Sequence, residues 1–340
     1  MDFGRLTRGG LLLACAAALV VPGCGPRKPK DINAIVPTVT LNRDRVPLKS
    51  AVEVTYSWKC EPTMKKLTEE HRAFVHFVDK DGYTLFTDDH MPTPAPTSWE
   101  PGKTYSYSRT VFVPSYQYVG KVEVRVGLEP VSGARRTRVA MKGDDTGLRE
   151  YRVATLEFLP EIENIYLVEK EGWHDPETSR DNPGLERTWT KRQAVTSFKN
   201  PKKDVVVYLE ADTNAKAFSK PPALVVSVGD KTGVVVPITS SELFLKRIRF
   251  KAADLGAADW VDLRLTMSDS FVPKDLGLND DWRELGLMVY HLHVLDADQL
   301  GTLPSGTEVL DAGPLSPEGL QILKASAVSK TKKAAAPAKL

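Results

Sequence analysis

Val52-Glu53-Val54-Thr55-Tyr56-Ser57-Trp58-Lys59-Cys60 alternates apolar and polar residues without a break. Successive side chains of a strand point to opposite faces, so the run reads as a half-buried β-strand with Val52, Val54, Tyr56, Trp58 and Cys60 toward a core. The same pattern recurs outward from it. Arg72 to Val78 and Tyr83 to Thr87 flank Asp79-Lys80-Asp81-Gly82, a turn in which glycine supplies positive φ, and the pair reads as a hairpin. Tyr105 to Val113 follows a proline-broken stretch, Val122, Val124, Val126 and Leu128 alternate with polar neighbours, and Arg152 to Phe158 closes the series. Pro160 to Asn164 is the seam. Beyond it Val205 to Leu209, Leu224 to Val228, Val234 to Ile238, Leu243 to Phe250, Val261 to Met267 and Leu287 to Val294 are further strands, with Gly229 to Gly233 as a hairpin loop. No helical period intervenes, so the expectation is an all-β fold: two tandem antiparallel β-sandwiches over residues 38–160 and 161–298. Residues 299–340 turn Pro/Gly-rich and then Lys/Ala-rich. They read as a tail that is mostly disordered, with a short helix around Pro317 to Leu323.

The 46 Lys and Arg nearly balance the 44 Asp and Glu, which leaves no electrostatic footprint for nucleic acid. Arg5 and Arg8 precede an apolar run from Leu11 to Val21. That is the charged and apolar parts of a secretory signal, shorter than the roughly 20 residues a membrane-spanning helix needs, so residues 1–23 are expected to be cleaved. Val21-Pro22-Gly23-Cys24 resembles a bacterial lipobox: an aliphatic residue stands three places before the cysteine and a small one just before it. The resemblance implies acylation of Cys24 with fatty acid such as palmitate, and residues 24–37 then form a Pro/Lys-rich tether. With Cys15 in the signal and Cys24 acylated, Cys60 has no disulfide partner, and stability must come from packing. Gly25 and Pro26 carry no acidic retention signal of the inner membrane, so the expected location is lipid-anchored at the outer membrane or cell surface.

Within the first sandwich, FVHFVDKDGYTLFTDDHMP, SWEPGKTYSYSRTVFVP and VEVRVGLEPVSGAR resemble the extracytoplasmic β-domain at the C-terminus of some bacterial membrane glycosyltransferases. In the second, GWHDPE, RTWT and FVPKDLGLNDDWRELGL resemble a β-sandwich module that accompanies cell-surface polysaccharide enzymes. This chain lacks the multi-spanning catalytic region of the first family, so what the resemblance implies is a glycan-associated accessory protein and not transferase activity.

Trp173, Glu177, Arg187, Trp189, Asp281, Trp282 and Arg283 form the candidate binding constellation, since arginine beside tryptophan and carboxylates can hold a sugar by stacking and bidentate hydrogen bonds. The reading preferred for the arginines is structural: an Arg at strand ends paired with acids pins loops, and Arg283 with Asp281 is expected mainly to hold the fold where the loop enters the last strand. Trp99 and Trp282 lie in turn-rich segments where a ring can stand exposed. Tyr105 and Tyr107 read as packing, and Asp79, Asp81, Asp88 and Asp89 as turn chemistry without the spacing of a calcium loop. His291 and His293 point to one side of the last strand, but no spacing nominates a third ligand, and no metal or cofactor is expected. A G-x-S-x-G elbow, P-loop and HExxH are absent, and no catalytic residue is nominated. The expectation is non-catalytic binding of an envelope polysaccharide by a membrane-anchored lipoprotein. Alternatives are a protein-interaction scaffold in an envelope export or assembly machine and, third, an unrecognised glycoside-acting enzyme.

Overall fold

A computed structural model describes residues 32–132, 137–178 and 186–334. The signal 1–23, Cys24 and the tether to residue 31 lie outside the described residues, as do residues 335–340 of the tail. No helix among the described residues is long and apolar enough to cross a membrane.

Nine strands build the first sandwich: β1 (Ile35–Leu41), β2 (Arg45–Pro47), β3 (Ala51–Cys60), β4 (His71–Val78), β5 (Thr84–Thr87), β6 (Thr104–Phe112), β7 (Gly120–Pro130), β8 (Asp144–Asp145) and β9 (Tyr151–Leu159). One sheet runs β1-β3-β6 and the other β2-β9-β7-β4-β5, with β8 on β9. β3 is the alternating run. Val52, Val54, Tyr56, Trp58 and Cys60 are all buried in one cluster with Val75, Phe77, Val122, Val124 and Phe158 of the facing sheet. Cys60 is a free thiol there, and burial raises its pKa. β1 begins at Ile35, within the span expected as tether, because Ile35 fills the same core.

The second sandwich comprises β10 (Leu167–Glu169), β11 (Glu177–Thr178), β12 (Glu186–Trp189), β13 (Gln193–Lys199), β14 (Val205–Asp212), β15 (Ala223–Val228), β16 (Thr232–Pro237), β17 (Phe244–Phe250), helix α1 (Ala252–Leu255), β18 (Trp260–Met267), β19 (Met288–Asp296), β20 (Leu310–Asp311) and β21 (Gly313–Pro314). Its sheets run β10-β13-β18-β15-β16-β21 and β11-β12-β19-β14-β17-β20. All pairings are antiparallel except β2 on β9 and β17 on β20.

Two strands of this unit are apolar on both faces, and both are covered twice. Inward-facing Val205, Val207 and Leu209 of β14 join the second core, while Val206 and Tyr208 pack with Ala51, Leu295, Leu300 and Phe112 where the sandwiches meet. On β15, Leu224 and Val226 face the core, and Val225 faces Leu315 and Ile322 of the chain's last part. Residues 299–323 are therefore more ordered than their composition suggests. β20 and β21 extend the two sheets, Leu300, Ala312 and Leu315 are buried, and helix α2 (Pro317–Ala334) runs well past Leu323. Apolar faces on β14 and β15 need covering, and this segment supplies part of the cover.

The meeting of the sandwiches is also polar. Glu53 lies on the outward face of β3, where alternation makes it solvent-facing, yet it is buried. Arg247 of β17 donates to it at 2.7 Å, and the Tyr208 and Thr110 hydroxyls donate at 3.1 and 2.8 Å. His291 and His293 stack on Phe112 of the first sandwich at 4.0 and 5.4 Å between ring centroids. Burial pushes these imidazoles down to about 4 and about 3, so both are neutral at neutral pH.

Candidate functional site

The loop from Phe271 to Leu285 presents the C-terminal part of the constellation. Its neck is closed by reciprocal backbone hydrogen bonds between Phe271 and Leu285, at 2.9 and 2.7 Å. Inside it, Pro273 opens a tight turn ended by Gly277 at φ +68°, and the Lys274 N–H donates to the Asp281 carbonyl at 2.9 Å. Asn279 accepts from the Asp281 N–H and Asp281 from the Arg283 N–H, two Asx turns in succession. The chain is thereby bent tightly enough to leave Trp282 at the outside of the bend, 78% exposed.

Arg283 holds this bend to the body of the sandwich. Its guanidinium meets Asp281 through Nε and Nη2, and Nη2 also donates to Glu177 of β11 at 2.7 Å. The guanidinium holds the Asp281 carboxyl below the usual carboxylate range, and the same hydrogen bonds raise Arg283. Glu177 faces Arg187 across the β11–β12 ladder.

Opposite the bend lies Trp173. Its indole N–H donates to the Val195 carbonyl at 3.0 Å and its ring packs on the second core. The preceding Gly172 has φ +87°, and a Cβ there would lie 1.9 Å from the Gln193 carbonyl, so only glycine lets the Trp173 segment lie this close to β13. His174 reaches across to the Glu284 carbonyl at 2.7 Å. Between bend and body runs a groove of about 540 Å³ lined by Trp173, His174, Asp175, Lys191, Val272, Trp282, Arg283 and Glu284.

Of the seven candidate residues, Trp173, Trp282 and Arg283 line this groove, and Glu177 and Asp281 fix Arg283 from behind. Arg187 and Trp189 stand apart from it. Arg187 lies near Asp212 and Tyr290, whose hydroxyl donates to Asp212 at 2.9 Å. Trp189 meets Phe271 edge to face at 6.0 Å. The groove adds His174, Asp175, Lys191 and Glu284, which the sequence reading did not nominate, although GWHDPE contains the first two.

Trp99 is not an exposed platform. It is fully buried between Trp58 and Tyr105, and its indole N–H donates to the Pro94 carbonyl at 2.9 Å; the proline-rich turn folds back over the ring. Asp79 accepts from the Asp81 and Tyr83 N–H groups within the hairpin turn, and Asp88 takes Arg109 and the Tyr56 hydroxyl. Among the described residues no three His, Cys, Asp or Glu side chains converge as metal ligands.

No protein-family model and no curated protein matches the chain. Among solved structures it is similar, at 6% identity, to the N-terminal CBM22-1-CBM22-2 tandem domain of Paenibacillus barcinonensis Xyn10C, over 78% of this chain and 94% of that one, with a TM-score of 0.22. The M60 catalytic domain with the CBM51-1 and CBM51-2 domains of Clostridium perfringens ZmpB is similar at 10% identity over 79% of this chain and 38% of that one, TM-score 0.21. PfGH50B is similar at 10% identity over 41% of this chain, which spans 24% of that one, TM-score 0.20.

Proposed function

We propose that this chain is a lipid-anchored envelope protein that binds a cell-surface polysaccharide without acting on it, and that the groove beside Trp282 is the contact. The observation that carries the reading is the exposed Trp282 ring on a loop held rigid from behind. An indole face presented to water is free to stack, and it matches the C–H face of a pyranose ring. Around it stand Asp175, Lys191, Arg283 and Glu284, charged groups suited to hydrogen-bonding sugar hydroxyls. Closing the loop's neck and fixing Arg283 to Asp281 and Glu177 orders the site before ligand arrives, which reduces the entropy lost on binding. In this role Asp281 and Glu177 position Arg283, and Trp282 and Arg283 touch the sugar.

The anchor belongs to the same proposal and rests on the lipobox at Val21-Cys24. Each buried CH₂ of an acyl chain contributes about 0.8 kcal/mol, so two or three chains on Cys24 hold the protein at a membrane almost irreversibly. Wild type is expected to take up labelled palmitate and fractionate with membranes, and Cys24→Ala to do neither. Palmitate-free wild type ends the anchor. A glycan array probed with the chain from Gly25 onward, which contains every described residue, tests the binding: Trp282→Ala weakens its signal tenfold or more, and a blank array for wild type removes the reading.

A further inference from the structure

A larger groove than that beside Trp282, about 1020 Å³, lies elsewhere, where the connection between the sandwiches passes their junction. Three large apolar side chains stand exposed at it: Ile162 at 88%, Tyr166 at 65% and Trp260 at 45%. The Tyr166 and Trp260 rings are 6.1 Å apart at 72°, so they form an open corner. Contiguous exposed aromatic surface of this kind marks a place that is covered in use.

Two charged groups bracket the corner. Lys199 is the cross-strand partner of Trp260, and its own N–H donates to the Tyr166 carbonyl at 3.0 Å. Lys199 is exposed. Asp259 precedes Trp260, its side chain is 93% exposed, and it pairs with Lys202 at a long 3.9 Å. The remaining charges of the lining, Lys49 and Glu161, pair with each other at 3.0 Å. Two lysines and two acids thus cancel, and the groove offers a charged occupant no net attraction.

We propose that this junction groove is a second saccharide site, which takes one uncharged sugar residue of a polysaccharide into the corner of Tyr166 and Trp260. One ring covers a C–H face of the sugar, and the other closes its edge. The Lys199 ammonium donates to one hydroxyl, and the Asp259 carboxylate accepts from another. The inference extends the proposed polysaccharide binding but uses none of the residues around Trp282, so either site can fail alone. Two sites on one chain raise avidity for a polymer long enough to reach both.

The test uses Trp282→Ala as background, in the chain from Gly25 onward, titrated with cellohexaose, xylohexaose and the hexamer of N-acetylglucosamine, and with hexagalacturonate as the charged control. At least one neutral hexamer is expected to quench tryptophan fluorescence saturably, and adding Trp260→Ala or Tyr166→Ala to weaken its binding tenfold or more with unchanged melting. Failure of all three neutral hexamers to bind, binding of hexagalacturonate alone, or binding indifferent to both added substitutions overturns the site. So does a dimer in sedimentation that Trp260→Ala dissolves, since the patch would then be covered by a second copy. If Trp260→Ala alone leaves wild-type binding intact while Trp282→Ala removes it, this second site falls and the first stands.

Discussion

At the junction of the sandwiches Arg247 meets Glu53 at 2.7 Å, with side chains 13% and 2% exposed; on the loop of the second sandwich Arg283 meets Glu177 at the same 2.7 Å, with side chains 29% and 32% exposed. The contact is the same and the depth is not. A partly exposed ion pair is screened by water and is worth about 1 kcal/mol or less, whereas stranding one member of a buried pair costs roughly 3–5 kcal/mol. The sequence reading looked for its structural arginine at Arg283. The larger structural consequence belongs to Arg247, because it is the partner that makes Glu53 tolerable on a strand face that the second sandwich covers.

Glu53→Ala is expected to have the largest effect, destabilising by about 3–5 kcal/mol, because Arg247 and the Tyr208 hydroxyl are then left without their acceptor at the junction. Calorimetry should show the two sandwiches melting apart. A single transition at the wild-type temperature would place the junction's strength in its apolar contacts alone.

Acid comes next. His291 and His293 are held down at about 4 and about 3 by burial, against 6.5 for an ordinary histidine. Below pH 6.5 the unfolded chain takes up protons that the folded one refuses, so stability is full above that pH and falls as the pH drops toward 4 and 3. Glu210 lies 3.7 Å from His291 and is itself raised by burial, which works against the trend, since a raised carboxyl favours the folded state in acid. Replacing both histidines with Gln should flatten the melting temperature between pH 6.5 and 4. An unchanged slope would contradict this assignment: Asp88, Glu129 and Glu150 are held low by their partners and carry the same sign, but they lose their contribution only as the pH falls below their ordinary values of 3.8 and 4.5.

The strands were legible because one face of each meets a core: β3 alternates as its burial does, and Cys60 falls on the side its spacing assigns. What lay beyond reach was the second covering of faces. Val205 to Leu209 is apolar on both sides, a pattern that says only that something packs there. That β14 receives Ala51 and Phe112 of the other sandwich, and β15 receives Ile322 of α2, depends on contacts far apart in sequence. Glu53 is the same lesson in reverse, a polar position whose alternation says solvent and whose neighbours are another unit. Around the site, the turn chemistry of Phe271 to Leu285 was readable, and so was the interest of Trp282. That Arg187 turns toward Asp212 and Tyr290, and that His174 and Lys191 enter the groove, follows from how β11, β12 and the loop meet, which no local pattern encodes.

Arg283→Ala should cost about 1 kcal/mol, well below Glu53→Ala, since its partners keep access to water. It should also loosen the bend and weaken polysaccharide binding while leaving the fold intact. A melting loss as large as that of Glu53→Ala would reverse the ranking of the two arginines.

Trp282→Ala has the smallest expected effect on stability and the most direct bearing on function, because the ring gives up little packing. The decisive measurement sets its melting temperature beside its signal on the glycan array, against wild type. Melting within about 1 °C of wild type together with a glycan signal weakened tenfold or more is the predicted result, a surface change of this kind being worth no more than ~0.5 kcal/mol. Binding retained at wild-type strength in Trp282→Ala would contradict it.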